Sequence, residues 1–242
     1  MPQAGKIFLT AEWQDVLILN YEVDPAWLRA YVPPGTELDS FDGKTYISLV
    51  GFRFRNTKYR SLIPIPFHAE FDEVNLRLYV RRSADGEIRR GVVFIAEIVP
   101  SAIVARAARW FYSENYVRRP MEHHVEREAT PKTVEYRWQE GPGWCELYAR
   151  FSGELTHPQK GSLQQFISEH YWGYSSQKNG TSLEYRVDHI PWKIWTASDA
   201  GFSGDASPLY GKELAAILKN APASAFVAEG SLVTVYDGVK LA

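Results

Sequence analysis

The sequence has almost no cysteine and no long apolar run, and these two absences exclude several classes of protein. A single cysteine, Cys145, occurs in 242 residues, which rules out an intramolecular disulfide and a thiolate metal cluster. Apolar runs stay below the ~18 residues that span a bilayer, and the first residues lack the apolar stretch of a signal peptide. We therefore expect a cytoplasmic protein with no membrane partner.

An excess of positive charge is missing as well. The 27 lysines and arginines are balanced by 29 aspartates and glutamates, which gives a formal net charge of -2. Binding to nucleic acid normally requires a basic surface, so no nucleic acid partner is predicted. The sequence also lacks a glycine-rich dinucleotide loop, a phosphate loop, a Gly-x-Ser-x-Gly elbow and a His-Glu-x-x-His motif. Nucleotide-dependent enzymes, serine hydrolases of that type and zinc proteases are therefore not predicted.

The sequence does contain a series of short strands separated by turns. Asp42-Gly43, Asp85-Gly86 and Gly141-Pro142-Gly143 each join two strand patterns as a hairpin. Helices are predicted over residues 26–31, from 102 to about 116, from 163 to about 172, and over 209–219. About ten strands with a few short helices indicate a mainly β (α+β) fold, an antiparallel barrel or curled sandwich with helices at its ends. We expect a single domain over residues 1–242.

The strand pattern of residues 71–80 is the most informative in the chain, because its side chains alternate strictly between apolar and polar. One face carries Val74, Leu76, Leu78 and Val80, and the other carries Glu73, Asn75, Arg77 and Tyr79. The apolar face belongs to the core. The polar face suits either the solvated side of a sheet or the polar lining of a barrel interior, and the pattern alone leaves both open.

Chemistry is expected at the polar face if it points inward. A buried Glu73 would have a raised pKa and could act as an acid or base. Arg77 could bind a carboxylate with two hydrogen bonds, and Asn75 would supply a neutral donor and acceptor. In the predicted helix over residues 102–116, Arg109, Tyr112 and Tyr116 share one face by their spacing.

Trp172, His123 and His124 are further candidates for site residues. Trp172 could line the same cavity, although a large aromatic residue after a helix is more often part of the core. His123 and His124 would point in opposite directions on a strand, which is a weak signal for a metal ion. We predict neither a metal nor a cofactor. The strand over residues 181–189 is interpreted as half solvated, with Glu184 on its polar face.

Several segments together resemble the YqjF-like bacterial family of uncharacterised proteins. They span most of the chain and are Asn20-Tyr21-Glu22-Val23-Asp24-Pro25, Pro34-Gly35-Thr36-Glu37-Leu38-Asp39, Ser48-Leu49-Val50-Gly51-Phe52, Glu73-Val74-Asn75-Leu76-Arg77-Leu78-Tyr79-Val80, Arg90-Gly91-Val92-Val93-Phe94-Ile95 and Glu169-His170-Tyr171-Trp172-Gly173-Tyr174. That family is grouped with acetoacetate decarboxylase. The resemblance therefore implies a cone-like antiparallel β-barrel with an internal polar cavity, and it favours the inward orientation of Glu73, Asn75 and Arg77.

The sequence departs from acetoacetate decarboxylase at the residues that define its chemistry. That enzyme forms a Schiff base on a lysine in a segment resembling Gly-Arg-Glu-x-x-Gly-x-Pro-Lys-Lys. The comparable segment here, residues 108–117, keeps an arginine at Arg109 and has no lysine. Arg118 and Arg119 cannot substitute, because a guanidinium stays protonated and is a poor amine nucleophile. A Schiff-base decarboxylase is therefore not expected.

Three hypotheses about function follow from these patterns. The first is a cofactor-independent enzyme acting on a small carboxylate or carbonyl compound, with Arg77 or Arg109 binding an anion, Glu73 transferring a proton, and Tyr112 or Tyr116 stabilising an enolate. The second is a non-catalytic module that binds a small-molecule ligand through the same residues and Trp172. The third is an interaction protein, in which a Glu73–Arg77 pair seals the cavity and the aromatic surface joins copies into a homo-oligomer.

Overall fold

The computed structural model describes residues 5–61, 63–64, 69–106 and 114–241. Within these ranges the chain forms fifteen strands: β1 Ile7–Val23, β2 Glu37–Leu38, β3 Thr45–Tyr59, β4 Ile63–Pro64, β5 Phe71–Ala84, β6 Glu87–Val99, β7 Tyr116–Arg118, β8 Met121–Glu126, β9 Lys132–Glu140, β10 Gly143–Phe151, β11 Trp172–Ser176, β12 Ser182–His189, β13 Ile194–Ser203, β14 Ser224–Tyr236 and β15 Val239–Leu241. The helices are α1 Pro25–Leu28, a 3-10 turn Arg29–Tyr31, α2 Leu163–Ser168 and α3 Ser207–Leu218, and residues 102–106 are also helical.

The short helices begin where the sequence supplies a capping side chain. Asp24 accepts a hydrogen bond from the backbone nitrogen of Ala26 at 2.8 Å, and Pro25 occupies the first helical position of α1. Ser162 accepts one from the backbone nitrogen of Gln165 at 3.3 Å and so caps α2. Each cap satisfies a backbone donor that the first turn of a helix leaves without a partner.

Seven strands form a closed ring through their pairings. The order is β12, β11, β6, β5, β3, β1 and β14, and β14 pairs again with β12. All neighbours in this ring are antiparallel except β11 and β6, which are parallel. A sheet that closes on itself has no free edge within the ring and encloses an interior. The mainly β fold predicted from the sequence is therefore confirmed.

A further group of strands outside the ring covers part of the ring's outer face. The sheet continues from β14 through β13, β10, β9 and β8. Tyr136, Trp138 and Leu147 of this extension are fully buried, in the same apolar cluster as Leu49 and Leu76 of the ring. A second apolar cluster, which includes Val50, Phe52 and Phe54, lies on the opposite face of the ring strands. The ring is thus apolar on both faces, one packed on a second layer and the other facing inward.

Strand β5 shows how the two faces differ. Val74, Leu76, Leu78 and Val80 belong to the outer cluster and are 0 % exposed. Glu73 and Asn75 on the other face are 3 % and 2 % exposed. The alternative of a solvated polar face is therefore wrong for these two residues.

Three predictions of local structure need correction. The helix predicted to reach Tyr116 does not, because Tyr116 begins β7 beside β6; residues 107–113 lie outside the described ranges. The helix predicted to run to about residue 172 ends at Ser168, and Trp172 begins β11. Glu184 of β12 was expected on a solvated face but is only 5 % exposed, because Arg82 and Arg89 both pair with it. The assignment of residues 1–242 to a single domain stays a prediction.

Strands β1 and β14 approach each other closely at Gly230, and this close approach gives a test of the fold. Gly230 has φ +79°, and a Cβ added there would lie 2.0 Å from the backbone oxygen of Trp13. We expect Gly230→Ala to lower the free energy of unfolding by several kcal/mol, that is by more than the ~1–2 kcal/mol of a left-handed alanine alone. Urea denaturation followed by circular dichroism measures the change.

Gly180 supplies the matched control for that substitution. It also has a positive φ, +82°, but a Cβ there would meet no atom within 4 Å. Gly180→Ala should therefore show only the conformational cost of the left-handed backbone. Equal losses in the two variants would contradict the close approach of β14 to β1.

Candidate active site

Strand register brings polar side chains from several strands into one row. Asn75 of β5 is paired with Val50 of β3 on one side and with Glu97 of β6 on the other. Glu97 is in turn paired with Tyr116 of β7. Paired residues on neighbouring strands point to the same face of a sheet. The row therefore places an amide, a carboxyl group and a phenol beside one another on the inner face of the ring.

This row borders a cavity of about 280 Å³ inside the ring. Its described lining is mostly apolar and aromatic, with a few polar groups at defined positions. The lining residues used below are Trp13, Phe52, Phe54, Phe71, Glu73, Asn75, Arg77, Phe94, Glu97, Glu114, Tyr116 and Tyr185. A concave apolar space with a few convergent polar groups is the usual form of a small-molecule site.

Glu73 is held by two donors and is removed from water. The Asn75 Nδ2 donates to Glu73 Oε1 at 3.0 Å, and the Tyr116 hydroxyl donates to Oε2 at 3.2 Å. Burial raises the pKa of Glu73 to about 7, and the two hydrogen bonds oppose this shift without cancelling it. Glu73 therefore exchanges its proton near neutral pH, which suits a general acid or base.

Two further carboxyl groups lie beside Glu73, and sequence reasoning missed both. Glu114 accepts a hydrogen bond from the Tyr185 hydroxyl of β12, and Glu97 contacts Glu114 and Tyr116. Burial is the main cause that raises the pKa of Glu114 to about 8 and that of Glu97 well above its usual range. The charge of Glu73 adds to both shifts, whereas the hydrogen bond from Tyr185 opposes the shift of Glu114. We call Glu73, Glu97 and Glu114 the glutamate cluster.

A bulge explains why alternation along β6 did not reveal Glu97. The pairing of β5 with β6 shifts register between Leu76 and Arg77, so that Leu76 lies opposite Ala96 and Arg77 opposite Phe94. Ile95 is the extra residue. Strict alternation would put Phe94 and Glu97 on opposite faces, whereas the bulge lets both line the cavity. A lone carboxylate within the apolar run of residues 92–99 was the signal available in the sequence.

Arg77 lies further along β5 than the glutamate cluster. Four residues of extended chain separate it from Glu73, about 13 Å at the usual rise of a strand. Its Nε donates to the Tyr79 hydroxyl and its Nη2 to the Ile167 carbonyl oxygen, each at 3.3 Å. Among the residues that the structure describes, no ion pair joins Arg77 to Glu73 or to another carboxylate. The hypothesis of a cavity sealed by a Glu73–Arg77 pair is therefore wrong.

The remaining predicted site residues are placed as follows. Tyr116 lines the cavity, but from β7 rather than from a helix. Arg109 and Tyr112 lie outside the described residues. Trp172 does not line the main cavity; its ring lies under the Arg89 guanidinium at 4.6 Å and borders an adjacent space of about 30 Å³ that Arg77 also lines.

Neither a metal centre nor a membrane span emerges from the described part of the chain. His123 Nδ1 lies 2.8 Å from Asp72 Oδ2, at the surface. Within the described ranges no group of three or more histidine, cysteine, aspartate or glutamate side chains has the arrangement of a metal site. None of the helices described is long and apolar enough to cross a membrane.

The fold around this cavity is similar to that of acetoacetate decarboxylase and related solved structures. The enduracididine biosynthesis enzyme MppR, solved in complex with pyruvate, superposes with a TM-score of 0.72 at 16% identity, over 97% of this chain and 90% of that one. An acetoacetate decarboxylase from Legionella pneumophila superposes with a TM-score of 0.69 at 14% identity, over 97% of this chain and 87% of that one. At these identities the likeness shows the fold.

The chain belongs to the DUF2071 family, described as an uncharacterized conserved protein, whose profile matches residues 10–232. The uncharacterized protein YqjF of Bacillus subtilis (strain 168) is 29% identical over 185 residues, which cover 76% of this chain and 74% of YqjF. The resemblance to YqjF-like proteins is thereby confirmed.

The raised pKa of Glu114 predicts how stability depends on pH. An unfolded glutamate has a pKa of 4.5, whereas folding raises that of Glu114 to about 8. The folded protein keeps a proton that the unfolded chain releases, so this group's contribution to stability falls as pH rises through that window. We expect Glu114→Gln to raise the free energy of unfolding by roughly 1–3 kcal/mol at about pH 8 and by little near pH 5.

Urea denaturation of wild type and variant at several pH values measures this difference. Glu87→Gln is the matched control, because Glu87 is an exposed residue of β6. The control should follow the wild type at every pH. A gap between Glu114→Gln and wild type that does not widen with rising pH would contradict the raised pKa.

Proposed function

We propose that the chain is a cofactor-independent enzyme that transfers a proton on a small carbonyl compound carrying a carboxylate. One observation supports this most: the cavity holds a buried carboxyl group, Glu73, hydrogen-bonded to Tyr116, and a guanidinium, Arg77, free of carboxylate partners in the described structure. A proton-transfer group and an anion-binding group thus face the same small space.

The guanidinium end of the cavity suits a carboxylate. Arg77 and Trp13 both line the main cavity and the smaller space beside it. The indole Nε1 of Trp13 is buried and has no hydrogen-bond partner within the described ranges, so it too can donate to an anion. A carboxylate bound there would leave the rest of the compound directed along β5 toward Glu73.

The proposed step removes a proton from the carbon next to the carbonyl group. Ionised Glu73 accepts that proton, and the electron pair of the broken C–H bond moves onto the carbonyl oxygen to give an enolate. Protonated Glu73 no longer needs the hydrogen bond from Tyr116. The Tyr116 hydroxyl can then donate to the enolate oxygen, and return of the proton to carbon completes the cycle.

Schiff-base chemistry is not part of the proposal. All ten lysines of the sequence fall within the described ranges, and none is among the residues that line the cavity. An amine nucleophile of the kind used by acetoacetate decarboxylase is therefore not available at the cavity wall.

A binding module without catalysis is the second candidate, and one observation favours it. Asn75 and Tyr116, the two donors beside Glu73, are both engaged with its carboxyl group. A developing oxyanion would have to compete for them. In this alternative the same residues hold the small molecule and no proton is moved.

Exchange of carbon-bound protons with D₂O separates the two candidates without knowledge of the product. Pyruvate is the first probe, because the structural neighbour MppR was solved with pyruvate bound. We expect the wild type to accelerate deuterium exchange of the pyruvate methyl group, followed by proton NMR. Glu73→Gln should slow it by about 10²–10⁴-fold with pyruvate still bound, and Arg77→Met should weaken binding.

The pH dependence supplies a second readout. The base form of Glu73 increases as pH rises through about 7, so the catalysed exchange should increase over the same range. Glu87→Gln should behave as wild type. Binding without exchange would favour the module, and a protein that neither binds nor exchanges pyruvate or related oxo acids would overturn the proposal.

A further inference from the structure

Two buried oxygen atoms at the glutamate cluster have no hydrogen-bond partner among the residues that the structure describes. They are Asn75 Oδ1 and Glu97 Oε2, on side chains that line the cavity and are 2 % and 1 % exposed. The amide orientation of Asn75 is fixed, because its Nδ2 donates to Glu73 Oε1. A buried acceptor without a partner is costly, so both atoms indicate a donor that a ligand would bring.

The donors around the cluster are already engaged with its carboxyl groups. Tyr116 donates to Glu73 and Tyr185 to Glu114. Once the cluster releases its protons, the described wall at this end offers acceptors to a ligand: carboxylate oxygens of the cluster and the amide oxygen of Asn75. Arg77, the basic residue among the described lining residues, lies four positions along β5 from Glu73, which places their Cα atoms about 13 Å apart.

We infer that the glutamate end of the cavity binds a positively charged nitrogen of a small molecule, in the form of an ammonium, amidinium or guanidinium group. An ammonium group has three donors and an amidinium four, enough to satisfy Asn75 Oδ1, Glu97 Oε2 and a further carboxyl oxygen together. The inference rests on the proposed function for the reacting site. It adds a cationic group to the compound whose carboxylate Arg77 would bind and whose proton Glu73 would accept.

The apolar wall suits the rest of such a molecule. Phe52, Phe54 and Phe71 lie against each other, with ring centroids 5.2 Å apart for Phe52 and Phe54 and 4.5 Å for Phe54 and Phe71. Glu73 is paired with Phe52 across β3 and β5, so the aromatic surface begins directly beside the carboxyl groups. Aromatic faces also attract cations. An anion at this end would instead meet three acidic side chains.

Cation binding should be coupled to proton release. Burial raises the pKa of Glu73 to about 7 and of Glu114 to about 8, and it raises that of Glu97 well above its usual range. In the described part of the chain, the other ionisable groups facing the cluster are Tyr116 and Tyr185. Tyr210 of α3 interacts electrostatically with Glu97, and Arg77 lies further along β5. A bound cation favours the ionised carboxylates, so affinity should increase as pH rises between about 6 and 8.

Calorimetric titration with benzamidine tests the inference on the full-length chain. Benzamide is its neutral counterpart of the same shape, and benzoate the anionic one. We expect benzamidine to bind at least about tenfold more tightly than benzamide. Glu97→Gln should weaken benzamidine binding by a similar factor, and Glu87→Gln should not change it. Titrations in two buffers of different ionisation enthalpy should show protons released on binding.

Folding of the variants is not expected to limit this test. Glu97→Gln and Glu114→Gln remove buried acidic groups while keeping the side-chain shape, and thermal unfolding checks that both remain folded. Equal affinity for benzamide and benzamidine, or an unchanged benzamidine affinity in both variants, would overturn the inference.

The outcome is distinguishable from that of the proposed function. Benzamidine binding that depends on Glu97, in a protein that does not exchange pyruvate protons, would support the cation site and reject only the proton-transfer reaction. Pyruvate exchange without benzamidine binding would overturn the cation site alone.

Discussion

The central physical constraint in this protein is the burial of three carboxyl groups without a neighbouring cation in the described structure. Glu73, Glu97 and Glu114 each lose contact with water inside a closed ring of strands. A buried carboxylate that lacks a counterion is costly, and a raised pKa is how the group avoids the charge. The carboxyl groups reduce this cost by keeping their protons. They also accept hydrogen bonds from the phenols of Tyr116 and Tyr185 and from the amide of Asn75.

Another buried glutamate of the chain, Glu184, differs from the cluster because it has cationic partners. Glu184 of β12 is buried to the same degree as the cluster, but it pairs with Arg82 and Arg89 and accepts a hydrogen bond from Tyr174. Both carboxylate oxygens of Glu184 are therefore bound by side chains of the protein itself. In the glutamate cluster, by contrast, Glu97 Oε2 has no hydrogen-bond partner in the described structure, and its side chain lines a cavity. This is the property expected of a site that receives a ligand.

The outer layer of strands determines which face of β5 lines the cavity. Because β5 packs its aliphatic face against the second layer of strands, its polar face is turned into the ring. The period of two in residues 71–80 was sufficient to predict an apolar and a polar face, and the series of strand patterns separated by turns was sufficient to predict a mainly β fold. What local pattern could not supply was the partner of each strand, since pairing joins residues far apart in the sequence.

The residues missed by sequence reasoning illustrate that limit. Glu97 reaches the cavity because a bulge reverses the alternation of β6 at Ile95, and a bulge has no clear signature in a run of apolar residues. Glu114 joins the site through a hydrogen bond to Tyr185, 71 positions away. Tyr116 was assigned to a helix by spacing, yet pairing with β6 makes it a strand residue. In each case tertiary pairing overrode the local pattern.

The most direct measurement is the titration of the glutamate carboxyl carbons by ¹³C NMR from about pH 4 to 9, with Glu→Gln variants providing the assignments. If the cluster is buried without a counterion as described, the signals of Glu73, Glu97 and Glu114 will change above about pH 6, well apart from those of exposed glutamates. Three signals that titrate near the ordinary value, together with the exposed ones, would contradict the account.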